Sequence, residues 1–503
     1  MSISECGCSS SKQNSDAYSI TGPEGDELLG LLDGLPLALA QAAAYMSETG
    51  TSFSIYTRLY KEQWRQLMEP YNGRRMPLRS YANGSVATTW TLSYMAVRAR
   101  NEAAANLLLL WAHLDNKGLW YGLLATASRE SAVAAEQTAA WLGEMGRSEV
   151  EFIEAIRTLR TYSLVEAGEQ TDYSTHPVVH QWALYMQDDR QQTALSRLAV
   201  VLVGLAVPMN DEKKYWETQA RLLPHAERCG KHLGEAGVDQ GVEQGADGWG
   251  EDKKVQLWAV DSLGLLYSIQ GKLDKAEEMY TQALEGYTKA LGEDHTSTLG
   301  TIGNLGNLYS KQGKLDKAEQ MYTQALEGYT KALGEDHTST LSTIGNLGNL
   351  YSEQGKLDKA EQMYTQALEG YTKALGEDHT STLSTINNLG ILYRDQGKLD
   401  KAEKMYTQAL EGYTKALGED HTSTLNSIYC LAILYSEQGK LDKAEQMYTQ
   451  ALEGYTKVLG EDYTLTLKTV DNLGILYSEQ GKLDKAEEMY ERYRVFSSSA
   501  RKG

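Results

Sequence analysis

At 503 residues the chain has length for two to four domains and an ample core. Its formal net charge of −20, much of it in the C-terminal half, argues against a phosphate backbone as main partner, so no nucleic acid is expected. No run of ~18 apolar residues occurs and the N-terminus, MSISECGCSSSKQNSD, lacks an apolar core, so no membrane or secretory signal is expected, and the four scattered cysteines suit a reducing, cytoplasmic setting.

Residues 1–25 are polar and small, and read as a disordered tail in which Cys6 and Cys8 stand alone. In 26–72 a short helix ends at Gly34, and Pro36 pre-sets the first turn of an Ala/Leu-rich helix, PLALAQAAAYM. Residues 85–187 read as a mainly helical module with a wing. A helix opens at 86–94, 103–114 is apolar enough to be buried, and 149–159 is amphipathic. Segments 162–167 and 171–175 predict a hairpin across 168–170, after which Pro177 starts another helix. His176 and His180 have zinc-ligand spacing but no third ligand, which favours two ordinary helix histidines. Residues 188–253 hold more amphipathic helix, which is expected to cap the N-terminal end of the segment that follows, and a Gly-rich acidic hinge at 234–251.

From 254 to 496 the chain repeats itself. The Leu of GKLDKAE recurs at Leu273, Leu315, Leu357, Leu399, Leu441 and Leu483, always 42 residues apart. A fixed period of this size means stacked supersecondary units. Each unit splits into a helix A (298–312 in the second copy) and a helix B (315–333), with a turn at Gln312-Gly313-Lys314. Gly306 and Ala318 allow close approach of the two, with Tyr309 and Tyr322 filling the space between. His295, His337, His379 and His421 recur between units, too far apart to share a metal, and mark helix starts.

Helix B hardly changes from copy to copy; the differences cluster in helix A. They fall at Gly300, Gly303, Asn307 and Lys311 and their counterparts, among them Asn349, Glu353, Asn387, Asp395, Tyr429, Glu437, Asp471 and Glu479. Spacings of 3, 4 and 4 put these on one face of helix A, opposite the constant Leu299, Ile302, Leu305 and Leu308. Asn304, Asn346, Asn388 and Asn472 lie beside that stripe, Cys430 breaks their series, and Arg394 adds a cation. An Asn amide pairs with both N–H and C=O of an extended peptide. The expected groove residues are therefore Asn304, Asn307, Lys311, Asn346, Asn349, Glu353, Asn387, Asn388, Arg394, Tyr429, Asp471 and Asn472, and their acidity favours a basic or neutral protein segment.

Two resemblances sharpen these readings. GLPLALAQAAAYM resembles the GLPLA motif of NB-ARC and related signal-transducing NTPases, and the helix–hairpin–helix order of 85–187 is similar to their winged helix. His176 falls at the histidine of their MHD motif, flanked here by Thr175 and Pro177. No GxxxxGK[ST] loop occurs, so the chain reads as the back half of such a protein, non-catalytic, with at most residual ADP contact through Pro36 and His176 and otherwise no cofactor. The words LGxLYxxQGKLDKAExxYxxALExY…LGEDH resemble the kinesin-light-chain subclass of tetratricopeptide repeats. The resemblances imply an all-α chain: a winged-helix-like module followed by a right-handed solenoid of about six repeats. The function implied is that of an interaction scaffold of fungal NB-ARC–tetratricopeptide type, the alternatives being a kinesin-light-chain-like cargo adaptor and a residual ADP switch.

Overall fold

The computed structural model describes residues 23–32, 35–68, 85–168, 172–208, 215–236 and 251–500. The chain divides into two compact units, Met1–Gly286 and Tyr287–Gly503.

The first unit opens with α1 (Pro23–Leu31), α2 (Pro36–Thr49), α3 (Phe53–Met68) and α4 (Ser85–Arg100). The tail predicted to reach residue 25 gives way to helix at Pro23, whose fixed φ suits a first turn. The expected stop at Gly34 lies outside the described residues. Then come α5 (Glu102–Trp111), α6 (Tyr121–Glu130), α7 (Ala132–Leu142) and α8 (Glu149–Thr161). Side-chain caps start three of these helices: Asn101, Ser131 and Ser148 each accept an N–H from the first turn. Helix α5 carries apolar residues all round and is the buried centre, with Leu107 and Leu110 fully enclosed. Trp90 and Trp182 meet with ring centroids 6.1 Å apart.

The predicted hairpin shrinks to β1 (Glu166–Ala167) paired antiparallel with β2 (Tyr173–Ser174). Tyr162 ends α8, Ser163 takes a left-handed φ of 55°, and Leu164 and Val165 are both buried. Two adjacent buried side chains break the alternation that a one-faced strand requires. Helices α9 (Pro177–Tyr185), α10 (Asp189–Leu205) and α11 (Tyr215–Ala236) follow. Residues 234–236, expected in the hinge, continue α11, and the rest of the hinge up to Gly250 lies outside the described residues. Helix α12 (Glu251–Ile269), helix A of the first copy, lies against α10: a Cβ on Gly204 would come within 2.5 Å of the Ala259 backbone.

The array continues with α13 (Leu273–Leu291), α14 (Thr296–Lys311), α15 (Leu315–Leu333), α16 (Thr338–Glu353) and α17 (Leu357–Leu375). It ends with α18 (Thr380–Asp395), α19 (Leu399–Leu417), α20 (Thr422–Glu437), α21 (Leu441–Leu459), α22 (Thr464–Glu479) and α23 (Leu483–Ala500). Even numbers are A helices and odd numbers B helices. Helix A begins two residues earlier than expected because the recurring histidine caps it. The His337 Nδ1 accepts the Ser339 N–H at 3.2 Å, and His295, His379 and His421 repeat the bond. Glycines at φ +72° (Gly313) and +93° (Gly334) close the two turns of the second copy.

Within a copy, Gly348 of helix A lets the Tyr364 ring of helix B approach so closely that a Cβ would lie 2.8 Å from it. The half-buried Tyr309 packs against one cluster formed by Ala318 and Tyr322 of its own unit and Leu347 and Leu350 of the next. Between copies a carboxylate latch recurs. Glu361 of α17 accepts from Tyr393 (3.1 Å), Gln396 (3.2 Å) and Lys398 (3.3 Å) of the next copy. Glu319 and Glu403 do the same, and Glu445 takes Lys482 and Lys485. Lys356 and Lys359 also stand over the Tyr351 ring, 5.5 and 5.1 Å from its centre.

Candidate partner-binding groove

Consecutive A helices touch through their own side chains. Ser310 donates to Glu353 at 2.6 Å, Asn472 donates to the Tyr429 hydroxyl at 2.8 Å, and Arg394 lies 3.9 Å from Glu437 and 2.9 Å from Asp395. The varied positions form the solvent-facing side of this row. Lys311, Glu353, Asp395, Glu437 and Glu479 are exposed, while Leu299, Ile302, Leu305 and Leu308 on the other side are buried.

Seven of the predicted residues fall into three groups. Asn346 and Asn388 are half-buried, and their amides make no hydrogen bond with another described residue; Asn304 and Asp471 are also half-buried. Asn307 and Asn349 are exposed but engaged: each Oδ1 accepts from a helix B hydroxyl, Tyr322 at 2.7 Å and Tyr364 at 2.5 Å. Burial raises the pKa of both tyrosines, so they remain donors. Asn387 departs from expectation. It is only 6 % exposed, turned toward Cys430 of the next A helix, and its Oδ1 has no partner among the described residues. Helix α20 covers it, so a varied position need not be an open one.

The fourth to sixth copies carry a connected patch on this row: Arg394, Glu437, Tyr429 and Asn472, with the Tyr429 ring edge-on to Tyr448 at 5.9 Å. Burial pushes the Cys430 thiol up to about 11, despite the Arg394 charge and a hydrogen bond from Asn387, which makes it a packing residue and not a nucleophile.

The helix B latch residues cannot be recognised as a junction from local sequence, because their partners lie 32 to 37 residues downstream. Burial alone would raise the Glu319 carboxyl; hydrogen bonds from Gln354 and Tyr351 and the Lys356 ammonium hold it below the usual carboxylate range. The signal available is the constancy of Glu, Tyr, Gln and Lys together across copies. A second link missing from the sequence reading is Asn307 with Tyr322. Where Ile391 replaces the asparagine, the Tyr406 hydroxyl is buried with no partner.

Of the residues tied to a nucleotide, Pro36 starts α2, and His176 caps α9, its Nδ1 accepting the Val178 N–H at 3.3 Å. The neighbouring His180 donates to the Trp111 and Leu114 carbonyls at 3.0 and 2.9 Å, a structural role. Among the described residues no three side chains could hold a metal, and no helix is long and apolar enough to cross a membrane.

The tetratricopeptide repeat family matches residues 256–331, 299–373, 339–415, 381–457 and 423–494. No curated protein matches the chain. Among solved structures it is similar to BtubC (BKLC) from P. vanneervenii, with 24% identity, 46% of this chain and 92% of that one covered, and a TM-score of 0.41. It is also similar to a putative kinesin light chain with nearly identical TPR-like repeats from Podosopora anserina (24% identity, 42% and 99% covered, TM-score 0.36). A signal transduction ATPase with numerous domains and a tetratricopeptide repeat sensor, from Pyrococcus horikoshii, has 13% identity, 92% and 66% covered, and a TM-score of 0.42. The matched family is a repeat scaffold rather than an enzyme family, and residues 256–494 of this chain are a tetratricopeptide repeat array.

Proposed function

We propose that the row of A helices binds an extended segment of a protein partner that is basic or neutral, and that the chain works as a non-catalytic interaction scaffold. One observation carries this reading: Asn346 and Asn388 present half-buried amides with no partner among the described residues, one copy apart on the same row. A buried or half-buried amide left unpaired costs free energy unless a ligand or water completes it. A peptide backbone running along the row offers N–H and C=O to each amide in turn. The exposed Glu353, Asp395, Glu437 and Glu479 along its edge favour a segment with Lys or Arg.

Titrating the full chain with extended peptides of matched length and opposite charge tests the proposal. Basic peptides bind, acidic ones do not, and the double variant Asn346→Ala/Asn388→Ala weakens binding roughly tenfold or more, as two lost backbone pairs require. Equal binding by that variant would sink the groove assignment. The wider setting we propose is the partner-sensing half of an NB-ARC-like signalling protein in the cytoplasm, supported by the GLPLA-like sequence at 34–38. We further propose that no nucleotide is held, since the His176 Nδ1 is engaged in its cap. Heat from an ADP titration in the micromolar range would overturn that.

A further inference from the structure

At one junction of the row the chain fills a side-chain site with a residue of its own. The Tyr429 phenol of the fifth copy reaches toward the sixth, where Asn472 donates to its hydroxyl at 2.8 Å, and its ring stands edge-on to Tyr448. Two copies back, the counterparts of Tyr429, Asn472 and Tyr448 are Gly345, Asn388 and Tyr364. Three copies back they are Gly303, Asn346 and Tyr322. The asparagine and the helix B tyrosine are kept at both junctions, and only the phenol between them is missing.

The place it would take is open. A Cβ added at Gly303 or Gly345 would meet nothing within 4 Å, and both glycines are half-buried. Glycine inside a helix is destabilising. At Gly348 the close Tyr364 ring accounts for it, but at Gly303 and Gly345 no neighbouring side chain does. The Asn346 and Asn388 amides, whose counterpart Asn472 holds a phenol, hold nothing among the described residues. The junction between the fourth and fifth copies is closed instead. There the same two positions are Asn387 and Cys430, each 6 % exposed and hydrogen-bonded to one another.

We infer that Gly303 with Asn346, and Gly345 with Asn388, form two side-chain subsites, each taking a tyrosine of the bound segment where Tyr429 lies in the fifth copy. This rests on the proposed reading of the row as a peptide groove and adds what the peptide must carry. Each amide donates one N–H to the phenol oxygen, as Asn472 does, and keeps its Oδ1 and second N–H for the peptide backbone. Helix packing sets the spacing. Consecutive A helices touch through their side chains, so the two subsites lie about 8–10 Å apart. A polyproline II segment returns to the same face every three residues, a rise of about 9 Å. A β-strand would put residues three apart on opposite faces. The segment is therefore Tyr-x-x-Tyr in polyproline II conformation, with lysine or arginine among its other residues to meet Glu353 and Asp395.

Fluorescence anisotropy of labelled, lysine-containing peptides titrated with the full chain tests this. Replacing Tyr-x-x-Tyr by Ala-x-x-Ala at equal charge weakens binding roughly thirtyfold or more. Tyr-x-Tyr loses roughly tenfold, because only one ring can be seated. Phe-x-x-Phe loses roughly threefold or more on wild type and nothing on Asn346→Ala/Asn388→Ala, where the partner of the hydroxyl is gone. Filling both subsites from within, by Gly303→Tyr/Gly345→Tyr, abolishes the preference for Tyr-x-x-Tyr over Ala-x-x-Ala. Circular dichroism shows whether that variant stays folded, and the peptide comparisons on wild type stand without it. Equal affinity of wild type for Tyr-x-x-Tyr and Ala-x-x-Ala overturns the inference and leaves the groove reading intact. So does a tyrosine preference that persists in the folded double-tyrosine variant. Failure of every basic peptide to bind overturns the groove reading and this inference with it.

Discussion

The two units solve the same problem in opposite ways. In the second, most junctions repeat a glycine under a tyrosine ring, a capping histidine and a glutamate latch, with Ala432 and Tyr463 replacing the glycine and the histidine once each. In the first, apart from the opening repeat copy with Gly264 under the Tyr280 ring, the described polar groups are buried in contacts that differ from one another. His225 accepts the Asp115 N–H at 3.1 Å and faces the Gly118 carbonyl at 3.3 Å, while Gln187 bridges His113 and the Leu109 carbonyl. A one-dimensional stack distributes its stability over equal nearest-neighbour terms, whereas a compact helical unit concentrates it in a few irreplaceable contacts. The contrast can be measured in a single molecule. All nine tryptophans lie at or before Trp258, so tryptophan fluorescence reports the first unit only.

The largest effects come from adding volume at the closest approaches. Gly204→Val pushes a side chain into the Ala259 backbone, which cannot rotate away, and costs about 3 kcal/mol or more. Gly348→Val meets only the Tyr364 ring and costs less, about 1–3 kcal/mol. Thermal melting followed by fluorescence sees the first and not the second; circular dichroism sees both. A fluorescence shift from Gly348→Val would show that the two units melt together.

Acid separates the units next. Burial holds the His180 and His225 pKa values below the ordinary 6.5, so both are neutral when folded. Around His180 stand Arg228 and Asp115; around His225 stand Asp115, Arg221 and His180. The unfolded chain therefore binds more protons, and the first unit loses stability as pH falls below about 6.5. The latch carboxylates have pKa values below the ordinary 4.5, so their contribution is fully present above that value and is lost only as pH falls through it. Fluorescence should thus lose amplitude at a higher pH than the helical signal of the array.

Smaller effects probe single junctions. Glu361→Ala removes a three-donor acceptor that is partly open to water and should cost about 1 kcal/mol, read as a modest drop in array melting with fluorescence unchanged. Ile391→Asn gives the orphaned Tyr406 hydroxyl an acceptor, as Asn349 does for Tyr364. It should stabilise by a few tenths of a kcal/mol, up to about 1. A destabilising Ile391→Asn would mean that aliphatic packing outweighs the hydrogen bond at that site.

The same contrast explains how much of the molecule is legible in its sequence. Helix B is found at Leu315–Leu333, as its period and flanking Gly313 and Gly334 predict, because six copies repeat each local signal. Helix A starts two residues before its predicted bound, since histidine is an unusual cap and the bond depends on which ring nitrogen faces the chain. In the first unit each signal occurs once. The hairpin is shorter than predicted because β-branched and aromatic residues at 162–165 suit a strand, yet burial of Leu164 and Val165 turns the chain instead. At the groove, variation among copies locates the open face but does not separate Asn388 from Asn387. One residue is a 100° rotation on a helix, and only the packed neighbour shows which amide is covered.

The latch has a consequence for how such a chain can change its length. Glu319, Glu361 and Glu403 each receive the same tyrosine, glutamine and lysine, so any of these junctions can stand in for another. Excising residues 338–379, or inserting a second copy of them, leaves the latch intact at every junction that remains. The fold thereby tolerates gain or loss of whole 42-residue blocks, and the reach of its A-helix row becomes a trait that recombination between near-identical segments can adjust in steps.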